Sequence, residues 1–321
     1  MTKRHGIGFI GLGSIGQRML AQGWDHSRVQ PVIVWDVDAE RVAATVANRA
    51  GLQAAADVSS LINDDAVDVV YIASPPLTHA AYAETILQSG KPVLCEKPLG
   101  IDIATSEALA ARATASGICH AVNFIFASGH PVTQIEQTLA RAASDEIKGV
   151  EAQLHLPNWA KRRYAEAPWL KDSDQGGFVR EVLSHFVYLT ERLFGPAVIN
   201  YAYCRKGRRQ GSAVTGLVAQ FSCGDVPFNI HGSTLGQGPD ICNYTIWGKH
   251  CSYRVRDYYR FQVTTGESWS DANAAGTDPT TDWYQRQFDQ LAAMLDGQPH
   301  TLPDFAAGLS VQKLIESILE D

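Results

Sequence analysis

Over its first third the chain alternates short, continuous apolar runs with stretches of helical period. Residues 6–10, 32–35, 67–72, 93–95 and 118–122 are apolar, broken only by Asp68 and His120, and predict strands buried on both faces. Residues 39–50, 79–89 and 102–116 lie between them and predict helices, and residues 52–56 add a short strand before a helix over 58–63. Strands and helices in strict alternation build a parallel, doubly wound α/β sheet of Rossmann type, whose strands end at a ligand crevice.

Beyond Phe124 the pattern changes. A helix over 131–142 leads to strand-like runs at 150–156, 198–204, 213–223, 226–233 and 241–247, then to a tyrosine-rich stretch at 253–263. Strands in succession without intervening helices predict a largely antiparallel open sheet, hence an α+β domain. One long helix over 178–194, stopped by Gly195-Pro196, precedes most of these strands. Residues 266–282 are rich in Gly, Ser, Thr, Asp and Asn and predict a loop before helices over 283–295 and 305–320. Two domains follow, a nucleotide-binding domain over 1–123 and an α+β domain for substrate and self-association over 124–321.

Composition narrows the function classes. A chain of 321 residues with 45% hydrophobic content buries a large core, and its net charge of −7 offers no basic excess to nucleic acid or an anionic membrane. The clusters Lys161-Arg162-Arg163 and Arg205-Lys206-Gly207-Arg208-Arg209 are read as solvated loops. Six cysteines without C-x-x-C spacing fit a reducing, cytoplasmic setting, with neither a signal segment nor a membrane-spanning run. No metal site is expected.

The first apolar run is followed by Gly11-Leu12-Gly13-Ser14-Ile15-Gly16 and then by a helix-compatible stretch. A G-x-G-x-x-G between strand and helix allows a tight turn at Gly11, backbone approach to a pyrophosphate at Gly13 and close packing at Gly16, with helix N–H groups at Ser14 and Ile15 facing the phosphates. Asp36 ends the second strand, about 20 residues past the last glycine, where a carboxylate accepts hydrogen bonds from a ribose diol and repels a 2′-phosphate. NAD is therefore the expected cofactor, with NADP as the second candidate. Asp38 is read as a helix N-cap and Arg41 as a solvent-facing helix residue.

Two further turns lie at strand ends. Ser74-Pro75-Pro76 forms a rigid turn beside the expected nicotinamide ribose, with His79 opening the next helix, and Cys95-Glu96-Lys97-Pro98 sets Lys97 at the carboxyl edge of the sheet. A buried lysine there is costly without a task.

The order of G-x-G-x-x-G, acid, S-P-P with a following His, and E-K-P resembles the Gfo/Idh/MocA oxidoreductases. The segment Gly176-Gly177-Phe178-Val179-Arg180-Glu181-Val182-Leu183-Ser184-His185 is similar to that family's G-G-x-x-x-D-x-G-x-H. The resemblance implies that Lys97 lies near the transferred hydride and that His185 is an acid/base residue, with Glu181 in place of an aspartate and Leu183 in place of a glycine. Glu181 and His185, four apart, would share a helix face. The resemblance also implies cofactor contacts at Ser74, Pro75, His79, Glu96 and Lys97, and often a cis Lys97–Pro98 bond. The family's Arg before a Pro is absent from residues 123–131, leaving Asn123 or His130 to supply polar contacts. Trp159 and Arg180 complete the expected substrate set.

The implied activity is NAD(P)-dependent oxidation of a secondary hydroxyl on a sugar, polyol or related small molecule, with Lys97 or His185, or a relay between them, as general base. The alternatives are an NAD-dependent glycoside hydrolase, acting by transient oxidation and elimination, and a non-catalytic nucleotide-binding sensor. An apolar sheet face in the second domain would need cover, so a homodimer or homotetramer through that sheet is expected.

Overall fold

The computed structural model describes residues 4–140, 147–272 and 278–320. The last residues of the helix expected over 131–142, and part of the loop expected over 266–282, lie outside them. The chain divides into two compact units, one of residues 1–127 with 284–309, the other of residues 128–283 with 310–321. The first unit thus takes in a C-terminal segment that the linear division at 123 and 124 does not contain.

The first unit is built on a six-stranded sheet of β1 (His5–Ile10), β2 (Val29–Trp35), β3 (Gln53–Ala54), β4 (Val69–Ile72), β5 (Val93–Glu96) and β6 (His120–Asn123). Every pairing is parallel and the order is β3-β2-β1-β4-β5-β6. The apolar runs are explained by burial: Ile7, Phe9, Val34, Val69, Ile72 and Val93 are wholly shielded. Each such side chain contributes about 1.5–3 kcal/mol. The crossover helices are α1 (Ser14–Trp24), α2 (Ala39–Ala47), α3 (Val58–Asn63), α4 (His79–Gln88) and α5 (Ile103–Ser116). Asp38, Asp57 and Asp102 cap α2, α3 and α5 through hydrogen bonds from backbone amides.

The second unit begins with α6 (His130–Leu139), then β7 (Ile147–His155), α7 (Pro157–Glu166) and α8 (Ser184–Phe194). The solvated loop expected at 161–163 is in fact part of α7, started by Pro157 at its first turn, and Arg163 pairs with Glu166 at 3.0 Å. Strands β8 (Val198–Arg205), β9 (Gly216–Cys223), β10 (Val226–Ser233), β11 (Ile241–Gly248), β12 (Ser252–Arg256), β13 (Arg260–Thr264) and β14 (Ser270–Asp271) complete the unit's sheet. Its order is β14-β13-β12-β11-β7-β10-β9-β8, antiparallel throughout except for β7 with β10. The tyrosine-rich 253–263 stretch is a hairpin of β12 and β13 rather than one run. The long helix expected over 178–194 begins as a π-helical turn, Val179–Leu183, before continuing as α8 and ending at Gly195 with φ +88°. The chain closes with α9 (Pro279–Leu295) and α10 (Phe305–Glu320).

Candidate functional site

Because β1, β2, β4 and β5 are parallel, the turns that follow them gather on one edge of the first unit's sheet. Gly11 has φ +97°, and a Cβ there would lie 2.6 Å from the backbone of Ala73; one on Gly16 would lie 2.2 Å from Gly11 O. Both glycines are required by the turn itself. A Cβ on Gly13, by contrast, would meet nothing within 4 Å. The protein leaves that space open above the start of α1, which carries neither a side-chain cap nor an acidic residue in its first turn. An anion such as a pyrophosphate fits there, facing the backbone amides of Ser14, Ile15 and Gly16.

Asp36 is buried beside this turn. Its Oδ2 accepts from Leu12 N at 2.6 Å and its Oδ1 from Asp38 N at 2.9 Å, which fixes the carboxylate plane. Arg41 is not merely solvent-facing. Its Nη1 lies 3.2 and 3.3 Å from the two oxygens of Asp36, and its Nη2 lies 3.1 Å from Asp38. Charge attraction draws this half-exposed guanidinium across the acid that ends β2.

Lys97 follows β5 and is only 8% exposed, and its bond to Pro98 is cis. Glu96, beside it, is held by a buried network that the sequence did not reveal. Tyr71 Oη donates to Glu96 Oε1 at 2.5 Å and Asn123 Nδ2 donates to the same oxygen at 2.6 Å. Gln287 in turn donates to Asn123 Oδ1. Burial first, then the Glu96 charge, raises the Tyr71 phenol well above its ordinary pKa, so Tyr71 remains a donor. Asn123, expected among substrate contacts, is committed to Glu96 and Gln287. A signal for Tyr71 was available: a tyrosine inside a fully buried apolar strand needs a partner for its hydroxyl.

His79 opens α4 and is almost wholly buried. Its Nδ1 lies 2.7 Å from Pro98 O and its Nε2 2.8 Å from Ser74 O. The expected cofactor contact is thereby replaced by a clamp that ties the Ser74-Pro75 turn to the segment after Lys97. Ser74 Oγ also shares a hydrogen bond with Thr78 Oγ1 at 2.7 Å.

Glu181 and His185 belong to the second unit, Glu181 in the π-helical turn and His185 in the first turn of α8. His185 meets the ring of Tyr258 edge-on at 6.0 Å. Leu183, in the place of the family's glycine, is fully buried. Arg180 departs from its expected substrate role. Its Nε and Nη2 form a bidentate pair with Glu316 at 2.7 and 2.6 Å, and its Nη1 donates to the carbonyls of Ser173 and Gly176. Trp159 is half-buried on α7 and packs edge-on against Tyr164 at 6.0 Å. Among the described residues no group of His, Cys, Asp or Glu has the arrangement of a metal site.

Residues 5–124 match the family described as "Oxidoreductase family, NAD-binding Rossmann fold", GFO_IDH_MocA. Over these residues the chain is similar to the NAD-binding domain of that family. An inositol 2-dehydrogenase of Saccharopolyspora erythraea is 42% identical over 122 residues, 36% of this chain and 35% of that protein. An NADP(+) scyllo-inositol 2-dehydrogenase of Bacillus subtilis is 33% identical over 109 residues, 34% of this chain and 33% of that protein. The chain therefore aligns with only about a third of the length of these two Gfo/Idh/MocA relatives. A levoglucosan dehydrogenase, solved with NADH and L-sorbose, superposes with a TM-score of 0.84 over 99% of this chain and 96% of its own, at 18% identity. That likeness is one of fold, over nearly the whole chain.

Proposed function

We propose that the protein is an NAD(P)-dependent dehydrogenase acting on a secondary hydroxyl of a cyclic polyol or sugar. The observation that carries this reading is the placement of a nearly buried lysine, Lys97, on the same sheet edge as an open dinucleotide cradle. The inositol dehydrogenases among the relatives support the substrate class. Bound nicotinamide supplies the hydride acceptor. The backbone amides after Gly13 hold the pyrophosphate and Asp36 takes the adenosine ribose, with NAD preferred over NADP. The Lys97 ammonium orients the substrate oxygen and stabilises alkoxide charge, and His185 takes the hydroxyl proton as general base. Glu96, gripped by Tyr71 and Asn123, keeps the end of β5 fixed under Lys97.

The protein is further proposed to be cytoplasmic and homo-oligomeric. None of the six cysteines is in a disulfide, as a reducing compartment favours, and no described helix is long and apolar enough to cross a membrane. The second unit's sheet exposes Tyr201, Val218 and Trp247 along a groove of about 720 Å³, with Tyr203 exposed opposite Val218, a surface that suits a second copy of the chain.

The test is a panel of inositols, sugars and polyols followed at 340 nm with each nicotinamide cofactor, beside a nitrophenyl-glycoside panel. Cofactor reduction by at least one inositol or sugar is expected. Glycoside cleavage without net reduction would overturn the dehydrogenase reading.

A further inference from the structure

The hairpin between β12 and β13 turns at Asp257 and Tyr258, which have φ +50° and +69°. Tyr259 N donates to Arg256 O at 3.1 Å and closes the turn. Positive φ at both central positions is the type I′ arrangement, whose usual occupants are Asn-Gly or Asp-Gly. Asp257 suits its position. Tyr258 does not, because a bulky side chain in the left-handed region carries strain that glycine or asparagine would relieve. The conformation is enforced from outside the turn, since Asp257 N also donates to Cys242 O on β11 at 2.8 Å.

What the strained position delivers is an aromatic ring. The Tyr258 ring stacks on Phe186 with centroids 5.7 Å apart and an 18° interplanar angle, and meets the His185 imidazole at 6.0 Å and 86°. Phe186 is itself stacked with Tyr244 at 5.6 Å, and both are fully buried, so the surface behind Tyr258 is rigid. The Tyr258 hydroxyl is hydrogen-bonded to the Cys242 side chain, and burial is the first cause that keeps the phenol neutral well above its usual range. Filling volume alone would not require this residue. Any apolar side chain on a relaxed turn would serve that purpose.

Resting on the proton-transfer role proposed for His185, we infer that Tyr258 is a positioning residue, held by a strained turn so that its ring edge fixes the orientation of the His185 imidazole. The chain keeps a backbone conformation unfavourable for tyrosine because the ring must reach α8 at that angle. Phe186 supplies the floor and Cys242 anchors the hydroxyl end.

Three variants separate positioning from packing. Tyr258→Asn accepts the left-handed backbone and removes the ring, Tyr258→Met fills the space without a planar ring, and Tyr258→Phe keeps the ring without the hydroxyl. The first readout is the pH titration of the His185 imidazole by NMR, which needs no substrate. It should shift in Tyr258→Asn and Tyr258→Met and stay native in Tyr258→Phe. The second is turnover of whichever polyol the panel identifies. There kcat should fall about ten-fold or more in Tyr258→Asn and Tyr258→Met, with KM and NAD affinity within about three-fold, and Tyr258→Phe should recover most of the rate. An unmoved His185 titration in both ring-less variants overturns the inference whatever the activity. A wild-type protein that oxidises no hydroxyl compound sinks the dehydrogenase reading instead, while the titration still decides the positioning role. Should Tyr258→Asn fail to fold, Tyr258→Met carries the same comparison.

Discussion

If Asp36 takes the adenosine ribose as proposed, Arg41 governs how sharply it can read it. Each oxygen of Asp36 already receives a backbone amide and Arg41 Nη1, so a ribose diol must displace the guanidinium to gain both acceptors. A 2′-phosphate meets opposing effects, repulsion from Asp36 and attraction to Arg41. Exposed ion pairs are worth about 0.2–1 kcal/mol, so Arg41→Ala should tighten NAD only about two- to five-fold. NADP binding should weaken in the same variant, and Asp36→Ser should narrow the difference between the cofactors. Calorimetric titration of both dinucleotides checks the pair; parallel changes for NAD and NADP in Arg41→Ala would show that Arg41 does not discriminate. Lys97 makes a separate prediction. Lys97→Met should lower kcat by about a hundred-fold or more with NAD affinity within a few-fold, because the cradle and Asp36 hold the dinucleotide. Near-native turnover in that variant would remove Lys97 from the chemistry.

At the scale of elements, the π-helical turn before α8 is tied to α10 by the Arg180–Glu316 pair, in which both side chains are nearly buried. Removing one partner strands a charge away from water, so Glu316→Ala should cost about 3–5 kcal/mol and lower Tm by several degrees. The paired change Arg180→Met with Glu316→Leu should recover much of that loss; an unchanged Tm in Glu316→Ala would show the pair to be inert. This element also marks where sequence reading stopped. Largely apolar runs exposed the strands of the first unit because both faces of a parallel sheet are covered, and the turn from β1 to α1 was legible through its glycines, although α1 starts at Ser14, inside the motif. Arg180 was read as a substrate contact because its partner lies 136 positions away, beyond any local pattern. Helix α7 went unread because its basic run masked the one signal present, Pro157 at its start. The β12–β13 hairpin was invisible because an Asp-Tyr turn lacks the glycine that normally announces one. Gln287 and Asn123 looked like ordinary polar residues until the fold brought them to Glu96.

At the scale of the whole molecule, the second unit's sheet gives the chain a surface that a monomer has little reason to expose. Tyr203 and Val218 sit directly opposite one another on β8 and β9, at 60% and 46% exposure, and Trp247 on β11 is 40% exposed. Strand β9 turns Leu217, Ala219 and Phe221 inward, so its alternation sets Val218 on a second, separate face. Glu151, Gln220, Asn229 and His231 line the groove between them, giving polar partners that a self-complementary interface can satisfy without burying unpaired charge. A stable association needs more than about 1,000 Å² of buried surface, which a broad sheet face can supply. Light scattering at micromolar concentration should therefore find a dimer or tetramer. Val218→Glu should place a charge against its own copy across the two-fold axis and shift the protein toward monomer, with NAD affinity retained because the cradle belongs to the other unit. A monomeric wild-type protein would refute this assembly. An oligomer indifferent to Val218→Glu would move the interface to another face of the chain.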